Sequence, residues 1–127
     1  MKAADRAAQV WAVLALAASN RQILTYHIVA QCTGIAPQGL GQILEYVQSY
    51  CLIKNLPALT SIVVLKNSGV PSFGFTAAED VPREWIRVFE HDWLGQGCPT
   101  PESLEAAQRD RPSRGGRPAT PSPTGAA

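Results

Sequence analysis

The stretch of sequence that decides the fold is TYHIVAQCTGIAPQGLGQILEYVQSY, residues 25–50. Thr25 stands where a helix N-cap is expected and Gly34 is a typical helix stop, so a short helix is predicted over Tyr26–Thr33. Pro37 suits the first turn of a helix, and apolar residues at helical spacing follow it, which predicts a second helix to about residue 50. Two short helices joined by a tight glycine-containing turn predict a helix-turn-helix.

The flanking segments extend this motif to a winged helix-turn-helix domain. An Ala- and Leu-rich first helix is predicted over Ala3–Ser19. After the motif, β-branched and apolar residues predict a β-hairpin of two strands, Leu59–Lys66 and the shorter Val70–Phe75. Asp80 is the expected N-cap of a closing helix, whose apolar residues recur at helical spacing: Trp85, Val88, Phe89 and Trp93. The predicted fold class is therefore mainly α with a small β-hairpin.

The composition changes sharply near residue 95. All nine aromatic residues precede it, whereas the last 33 residues hold six of the ten prolines and five of the ten glycines. Such a segment buries little apolar surface, so we predict a winged-helix domain over residues 1–94 and a Pro/Gly/Ser-rich, mostly disordered tail over 95–127. A short helix within that tail is compatible with the sequence of Pro101–Arg109. Four arginines between residues 109 and 117 either touch phosphates or belong to a solvated linker.

The overall composition excludes several classes of protein. The 127 residues carry 11 Lys and Arg against 10 Asp and Glu, which argues against a histone-like polycation. Three scattered cysteines do not make a disulfide scaffold; Cys32 and Cys51 are expected to be buried and Cys98 exposed. No apolar run approaches the roughly 18 residues of a membrane span, so we expect a cytoplasmic protein that does not bind membranes. His and Cys residues lack metal-ligand spacing, so no metal or cofactor is predicted.

Several pieces of the chain, in order, resemble one family. Residues 25–34, TYHIVAQCTG, resemble the TY-x-x-(L/I/V)-A-x-x-x-G opening of the DNA-binding domain in O6-alkylguanine-DNA alkyltransferases and alkyltransferase-like proteins. Residues 37–41 lie where that family has A-R-A-V-G, and Leu56-Pro57 with Ile62–Val64 resembles (I/L)-P-C-H-R-V-V. Residues 67–69, NSG, resemble the family's following S-S-G, and residues 83–91 resemble its last helix, K-x-W-L-L-x-H-E. The resemblance spans about residues 10–93 and implies a winged-helix DNA-binding domain.

The reactive residues of that family are absent from this chain. Anchored on Pro57, the positions of the family's nucleophilic Cys and adjacent His hold Ala58 and Leu59; anchored on Val63-Val64, they hold Thr60 and Ser61. A thiol needs a partner that makes it a thiolate, and neither alignment supplies the thiol or the partner. The resemblance therefore implies a non-catalytic protein, as in the alkyltransferase-like relatives. Gln38 replaces the family Arg that fills the space of a flipped base, which weakens the case for recognition of damaged bases.

Six residues are predicted to contact duplex DNA: Tyr26, Gln38, Gly39, Gln42, Arg21 and Lys66. Tyr26 matches a family tyrosine that contacts phosphate, although a half-buried packing role is an equal alternative. Glutamine reads adenine edges in a major groove, so Gln38 and Gln42 are candidates on the would-be recognition helix, with Gly39 beside them. Arg21 and Lys66 are candidate phosphate contacts.

The sequence leaves three hypotheses for the function. The first hypothesis is a non-catalytic DNA-binding protein that senses modified bases or acts as a small regulator. Residues 37–50 contain no Lys or Arg, although phosphate contacts supply much of the affinity for DNA. The alternative is therefore a protein-protein interaction module that docks through an uncharged helix and an apolar wing. An enzyme with an unrecognised site is the third hypothesis, and the sequence offers no cluster of titratable groups for it.

Overall fold

A computed structural model describes residues 1–71 and 80–111 of the chain, and within them the fold is mainly helical with a small parallel sheet. The elements in chain order are α1 (Ala3–Ser19), β1 (Leu24–Thr25), α2 (Tyr26–Thr33), α3 (Pro37–Ile53), a 3₁₀ helix (Leu59–Ile62), β2 (Val63–Val64), α4 (Val81–Glu90), α5 (Trp93–Gln96) and α6 (Pro101–Arg109).

Local signals place the helix ends where the sequence predicts them. The side chain of Thr25 accepts a hydrogen bond from the N–H of Ile28 at 3.2 Å and caps α2. Gly34 ends α2 in the left-handed region, with φ of 74°, which is accessible to glycine at little cost. Asp80 caps α4 by accepting from the N–H of Arg83 at 3.2 Å. The helix that starts at Pro37 runs three residues beyond the predicted end.

The core forms where α1 packs against α3, the 3₁₀ helix and α6. Trp11 of α1 is its largest member; its ring meets Tyr50 edge-on at 5.4 Å and Trp93 edge-on at 5.6 Å between ring centroids. Edge-to-face aromatic pairs of this kind contribute about 0.5–1.5 kcal/mol beyond the burial of their area. The three rings thus join α1, α3 and α5. The predicted closing helix is in two parts, because α4 ends at Glu90 and Trp93 begins α5. Val88 and Trp93 are buried, whereas Trp85 and Phe89 are partly buried.

The first strand of the predicted β-hairpin is wrong over most of its length. Residues 59–62 form the 3₁₀ helix, and only β2 is extended; β2 pairs in parallel with β1, Leu24 opposite Val63. Two side chains of α4 hold this segment, one at the residue just before the predicted strand and one at a carbonyl within it that a strand would use for pairing. Glu84 accepts from the N–H of Ala58 at 2.6 Å, and the indole N–H of Trp85 donates to the carbonyl of Ser61 at 2.7 Å.

The second predicted strand, Val70–Phe75, lies mostly outside the described residues. At its start the N–H of Leu65 donates to the carbonyl of Val70 at 2.9 Å, and the N–H of Gly69 donates back to the carbonyl of Leu65 at 2.8 Å. Gly69 has a φ of 71°. The turn predicted at residues 67–69 is therefore present.

Residues 95–111 belong to the packed part of the chain, so the boundary predicted at residue 94 is too early. The helix predicted at Pro101–Arg109 is present as α6, and it packs against both α1 and α3. Leu104 is fully buried and Ala107 nearly so. One leucine and one alanine on one face anchor a helix that is otherwise polar. Residues 112–127, the rest of the predicted tail, lie outside the described residues.

Candidate functional site

The turn between α2 and α3 is held by α1. Arg6 of α1 donates from Nη1 to the carbonyl of Thr33 at 3.1 Å, near the end of α2. The N–H of Ile35 meets Oγ1 of Thr33 at 3.4 Å inside the turn. These contacts fix the angle at which α3 leaves α2, and Leu40 of α3 is buried in the core. α2 and α3 are thus two helices joined by a short turn, and the second of them starts at the surface.

The N-terminal half of α3 presents what we call the amide face: Gln38, Gly39, Gly41 and Gln42. Both glutamines and Gly41 are exposed, and Gly39 is half-buried. Because Gln38 and Gln42 are four residues apart, their side chains lie one above the other on the same side of the helix. Three of the predicted DNA contacts are thus brought together.

The two glycines of the amide face are not required by packing within the described part of the chain. A Cβ built on Gly39 or Gly41 meets nothing within 4 Å, and neither glycine has a positive φ. Glycine inside a helix costs about 0.5–1 kcal/mol relative to alanine. These two nearby glycines therefore lower the stability of α3. Because they carry no side chains, another molecule can approach the backbone of α3 closely at these positions.

Tyr26 and Lys66 lie at one end of the small sheet. Tyr26 follows β1 directly, and Lys66 follows β2 by two residues. Because the two strands run parallel, both residues lie at the C-terminal end of the sheet. Tyr26 is half-buried and packs against the core, whereas Lys66 is exposed. Arg21 precedes β1 and so lies at the N-terminal end of the sheet, where its backbone N–H donates to the carbonyl of Ala18 at the end of α1.

Arg21 is not brought near the amide face. Arg6, in the first turns of α1, contacts Thr33 at the end of α2, four residues before α3 starts, whereas Arg21 follows the last turn of α1. At 1.5 Å per helical residue these two ends are about 20 Å apart along α1. The cation that the structure places beside the helix-turn-helix turn is Arg6, which the sequence reading missed. A single arginine on a predicted core helix gives no indication in the sequence that it contacts Thr33, 27 residues away.

The C-terminal half of α3 is covered by α6 through a set of contacts that we call the α6 clasp. Oγ of Ser49 donates to Oε1 of Gln108 at 2.8 Å, and Nε2 of Gln108 donates to Oε1 of Glu45 at 3.3 Å. Nη1 of Arg111 forms an ion pair with the same Glu45 oxygen at 2.6 Å. Ser49 is 3% exposed as a result, although Glu45 and Ser49 continue the side of the helix that carries Gln38 and Gln42. The clasp therefore ends where the amide face begins.

The positions that correspond to the family's reactive pair are buried under either alignment. Ala58, Leu59, Thr60 and Ser61 are each at most 5% exposed. The hydroxyls of Thr60 and Ser61 have no hydrogen-bond partner among the described residues. Neither hydroxyl is presented to a ligand at the surface.

Cys51 of α3 contacts the buried segment of residues 58–61 through Leu59. A backbone group of Leu59 interacts with its thiol, but burial dominates and, with Glu84 adding a like-charge effect, raises the pKa of Cys51 from 9.0 to about 12. A thiol with so high a pKa stays protonated at neutral pH and is a poor nucleophile. Cys51 also lines a small open cavity of about 120 Å³ with Glu84, and Arg87 donates to Oε1 of Glu84 at 2.8 Å.

The other two cysteines lie at the surface. Cys32 is exposed on α2, so the prediction that it is buried is wrong. Val29 and Ala30 form the buried side of α2, and Cys32 lies on the exposed side. Cys98 is exposed, as predicted, and its Sγ lies 3.6 Å from the carbonyl oxygen of Ala8.

Metal-binding and membrane-spanning features were sought in the described ranges. Residues 1–71 and 80–111 contain no cluster of three His, Cys, Asp or Glu side chains that could hold a metal ion. None of the helices in these ranges is long and apolar enough to cross a bilayer. Comparisons with known proteins found no matching family model, no matching curated protein and no matching solved structure.

Proposed function

We propose that this chain is a non-catalytic, winged-helix-type protein that binds duplex DNA through the N-terminal half of α3. The observation that carries the proposal is the amide face, where two aligned glutamines stand beside two glycines that packing does not require. A glutamine side chain both donates and accepts, which matches the N7 and N6 edge of adenine in the major groove. The glycines remove the side chains that would hold the helix away from the groove.

Two further features of the site support DNA binding. Ala36 precedes α3 and has no side chain that can cap it. Pro37 has no N–H and the N–H of Gly39 donates to the carbonyl of Ala36 at 2.9 Å, so in the first turn the N–H of Gln38 is the one placed to donate to a phosphate. The register of the parallel strands also brings Tyr26 and Lys66 to the same end of the sheet. The hydroxyl of Tyr26 and the ammonium of Lys66 are groups that can donate hydrogen bonds to a backbone phosphate.

The resemblance to the alkyltransferase DNA-binding domain is part of this proposal. β1 ends within the TY piece and β2 is the Val-Val of the (I/L)-P-C-H-R-V-V piece, so two separated parts of the resemblance pair with each other. Two roles fit such a domain: it recognises a modified base, or it acts as a small regulator. Its lack of catalysis is supported by burial of residues 58–61 and by the high pKa of the Cys51 thiol.

The proposal is tested by fluorescence anisotropy with labelled duplexes, one plain and one carrying a single O6-alkylguanine, at about 50 and about 200 mM salt. Binding that weakens as salt rises is expected, and a preference for the alkylated duplex would identify a modified-base sensor. Replacing Gln38 and Gln42 with alanine should weaken binding by about 5- to 100-fold each, the range of one base contact. Gln22→Ala, at another exposed glutamine, is the matched control and should leave binding unchanged.

The second candidate function is docking on a protein partner. Leu65 is 37% exposed and Val70 is 45% exposed, and the hydrogen bond between their backbones holds them together beside Lys66. This exposed aliphatic pair and the uncharged α3 are the surfaces that such a module would use. Absence of binding to either duplex at 50 mM salt, from protein shown to be folded by circular dichroism, would replace the DNA proposal with this one.

A further inference from the structure

α3 carries one charged residue, and it lies beside the amide face. From Pro37 to Ile53 the helix contains no Lys or Arg, and Glu45 is its only acid. Glu45 follows Gln42 by three residues and Gln38 by seven, so the three side chains lie on the same side of the helix. At 1.5 Å per residue, Glu45 is about 5 Å from Gln42 along the helix axis.

An unpaired carboxylate at this position would oppose the binding of DNA. A groove that admits the amide face brings phosphates close to α3, and like charges placed together across an interface weaken it. Glu45 is half-buried, so its charge acts partly through solvent. At about 0.1 M salt, charges interact over about 10 Å, which is more than the single turn between Glu45 and Gln42. α3 itself has no cation that could offset this repulsion.

Arg111 of the α6 clasp supplies the positive charge that α3 lacks. Its Nη1 lies 2.6 Å from Oε1 of Glu45, and Nε2 of Gln108 donates to the same oxygen at 3.3 Å. A guanidinium group is always charged in proteins, so the ion pair has no net charge. Arg111 follows the last residue of α6 by two positions. The packing of α6 on α3 therefore brings this cation to the border of the amide face.

We propose that Arg111 promotes DNA binding without contacting DNA, by neutralising Glu45 at the border of the amide face. Arg111 acts through Glu45, while the base contacts remain with Gln38 and Gln42. The inference rests on the proposed function and deepens it, because it accounts for how a helix with a negative charge of its own enters a groove flanked by phosphates. In this arrangement α6 contributes charge to recognition as well as packing to the core.

The test measures the affinity of the full chain for a plain duplex by fluorescence anisotropy at about 50 mM salt. Arg111→Gln should weaken binding by about 3- to 10-fold, because it leaves the charge of Glu45 unneutralised near the phosphates. Glu45→Gln should tighten binding by a similar factor, because Arg111 then loses its carboxylate partner and keeps its charge. The double variant has the net charge of the unaltered chain and should regain its affinity.

Two further variants separate this effect from the geometry of the clasp and from net charge. Arg111→Lys keeps the positive charge and should retain the affinity of the unaltered chain. Arg83→Gln is the matched control, since Arg83 pairs with Asp80 on α4 at 3.7 Å and its side chain is 81% exposed. α4 lies near the other end of α3, where Glu84 and Cys51 line one cavity, so this variant should leave binding unchanged. Circular dichroism checks that each variant is folded.

Recovery of affinity in the double variant is the result that supports the inference. A double variant as weak as Arg111→Gln would overturn it, because Arg111 would then contact DNA itself. Unchanged affinity in both single variants would overturn it too, since the charge of Glu45 would not reach the DNA. An equal loss in Arg83→Gln and Arg111→Gln would overturn it by assigning the effect to net charge alone. Failure of the unaltered chain to bind the duplex would overturn the proposed function itself.

Discussion

The two halves of α3 differ in what their outward sides do. The C-terminal half is covered by α6, and Ser49 is buried there under Gln108. The N-terminal half carries the amide face, where two glycines lower helix stability with no packing reason among the described residues. One half of the helix is therefore covered on a second side by α6, although Leu52 and Ile53 at its end stay exposed, and the other half keeps that second side open. The difference teaches that the surface proposed for recognition lies only in the half of α3 that packing leaves open.

The largest expected effect tests whether α6 belongs to the core. Leu104→Ala removes a fully buried leucine that anchors α6, and we expect a loss of about 2–5 kcal/mol in the free energy of unfolding. Urea denaturation followed by circular dichroism measures it. The matched control is Leu94→Ala, at a leucine that is 61% exposed, which should change stability by less than about 0.5 kcal/mol. Similar small losses in both variants would show that the covered half of α3 does not need α6.

The second prediction concerns pH and uses Cys51 in the covered half of α3. Its pKa rises from 9.0 to about 12 in the folded chain, so above pH 9 the unfolded chain loses the thiol proton while the folded chain keeps it. The unfolded state then binds fewer protons, and stability falls by up to about 1.4 kcal/mol per pH unit between these two values. Denaturation at pH 8, 9.5 and 11 measures this slope.

The Cys51 contribution is isolated by comparing two variants. Cys51→Ala should remove the thiol's share of the alkaline slope, so the stability that this variant loses relative to the unaltered chain should shrink as the pH rises above 9. Cys32→Ala, at an exposed cysteine, should retain the full slope. Equal slopes in the two variants would mean that the covered half is open enough for the Cys51 thiol to ionise in the folded chain.

The helices of this fold were largely predictable because their ends are marked locally. Thr25, Gly34, Pro37 and Asp80 each act on the backbone within three or four residues, so a single sequence reveals them. The pairing of β1 with β2 has no such mark. β1 is only two residues long, and it joins residues that are about forty positions apart, so neither periodicity nor propensity reports it.

The site was less predictable than the helices. The glutamines of the amide face were identified from the helix-turn-helix pattern, but Arg6 and the clasp depend on contacts between distant helices. The sequence allowed a helix at Pro101–Arg109 but placed it in the tail, because the composition of the last 33 residues hides a buried side made of only Leu104 and Ala107. That the 3₁₀ helix replaces a strand follows from the partners Glu84 and Trp85, which lie more than twenty residues away.

The third prediction addresses the open half directly. Gly39→Ala and Gly41→Ala should each stabilise the chain by about 0.5–1 kcal/mol, because alanine favours the helix and its Cβ has space. Both variants should also bind duplex DNA more weakly, since the added methyl groups hold the helix away from the groove. Gly34→Ala is the control for glycine chemistry; with its φ of 74° it should destabilise by about 1–2 kcal/mol. Stabilised variants with unchanged binding would show that the glycines have no role in recognition.

The smallest expected effect lies at the border between the two halves. Arg111 and Glu45 are 38% and 30% exposed, so their ion pair is partly screened, and a double-mutant cycle of Arg111→Gln and Glu45→Gln should give a coupling of about 0.2–1 kcal/mol. Repeating the cycle in 0.5 M salt should reduce the coupling further. A coupling well above 1 kcal/mol that salt does not reduce would contradict this partly exposed geometry, and would mean that the ion pair is shielded from water as Ser49 is.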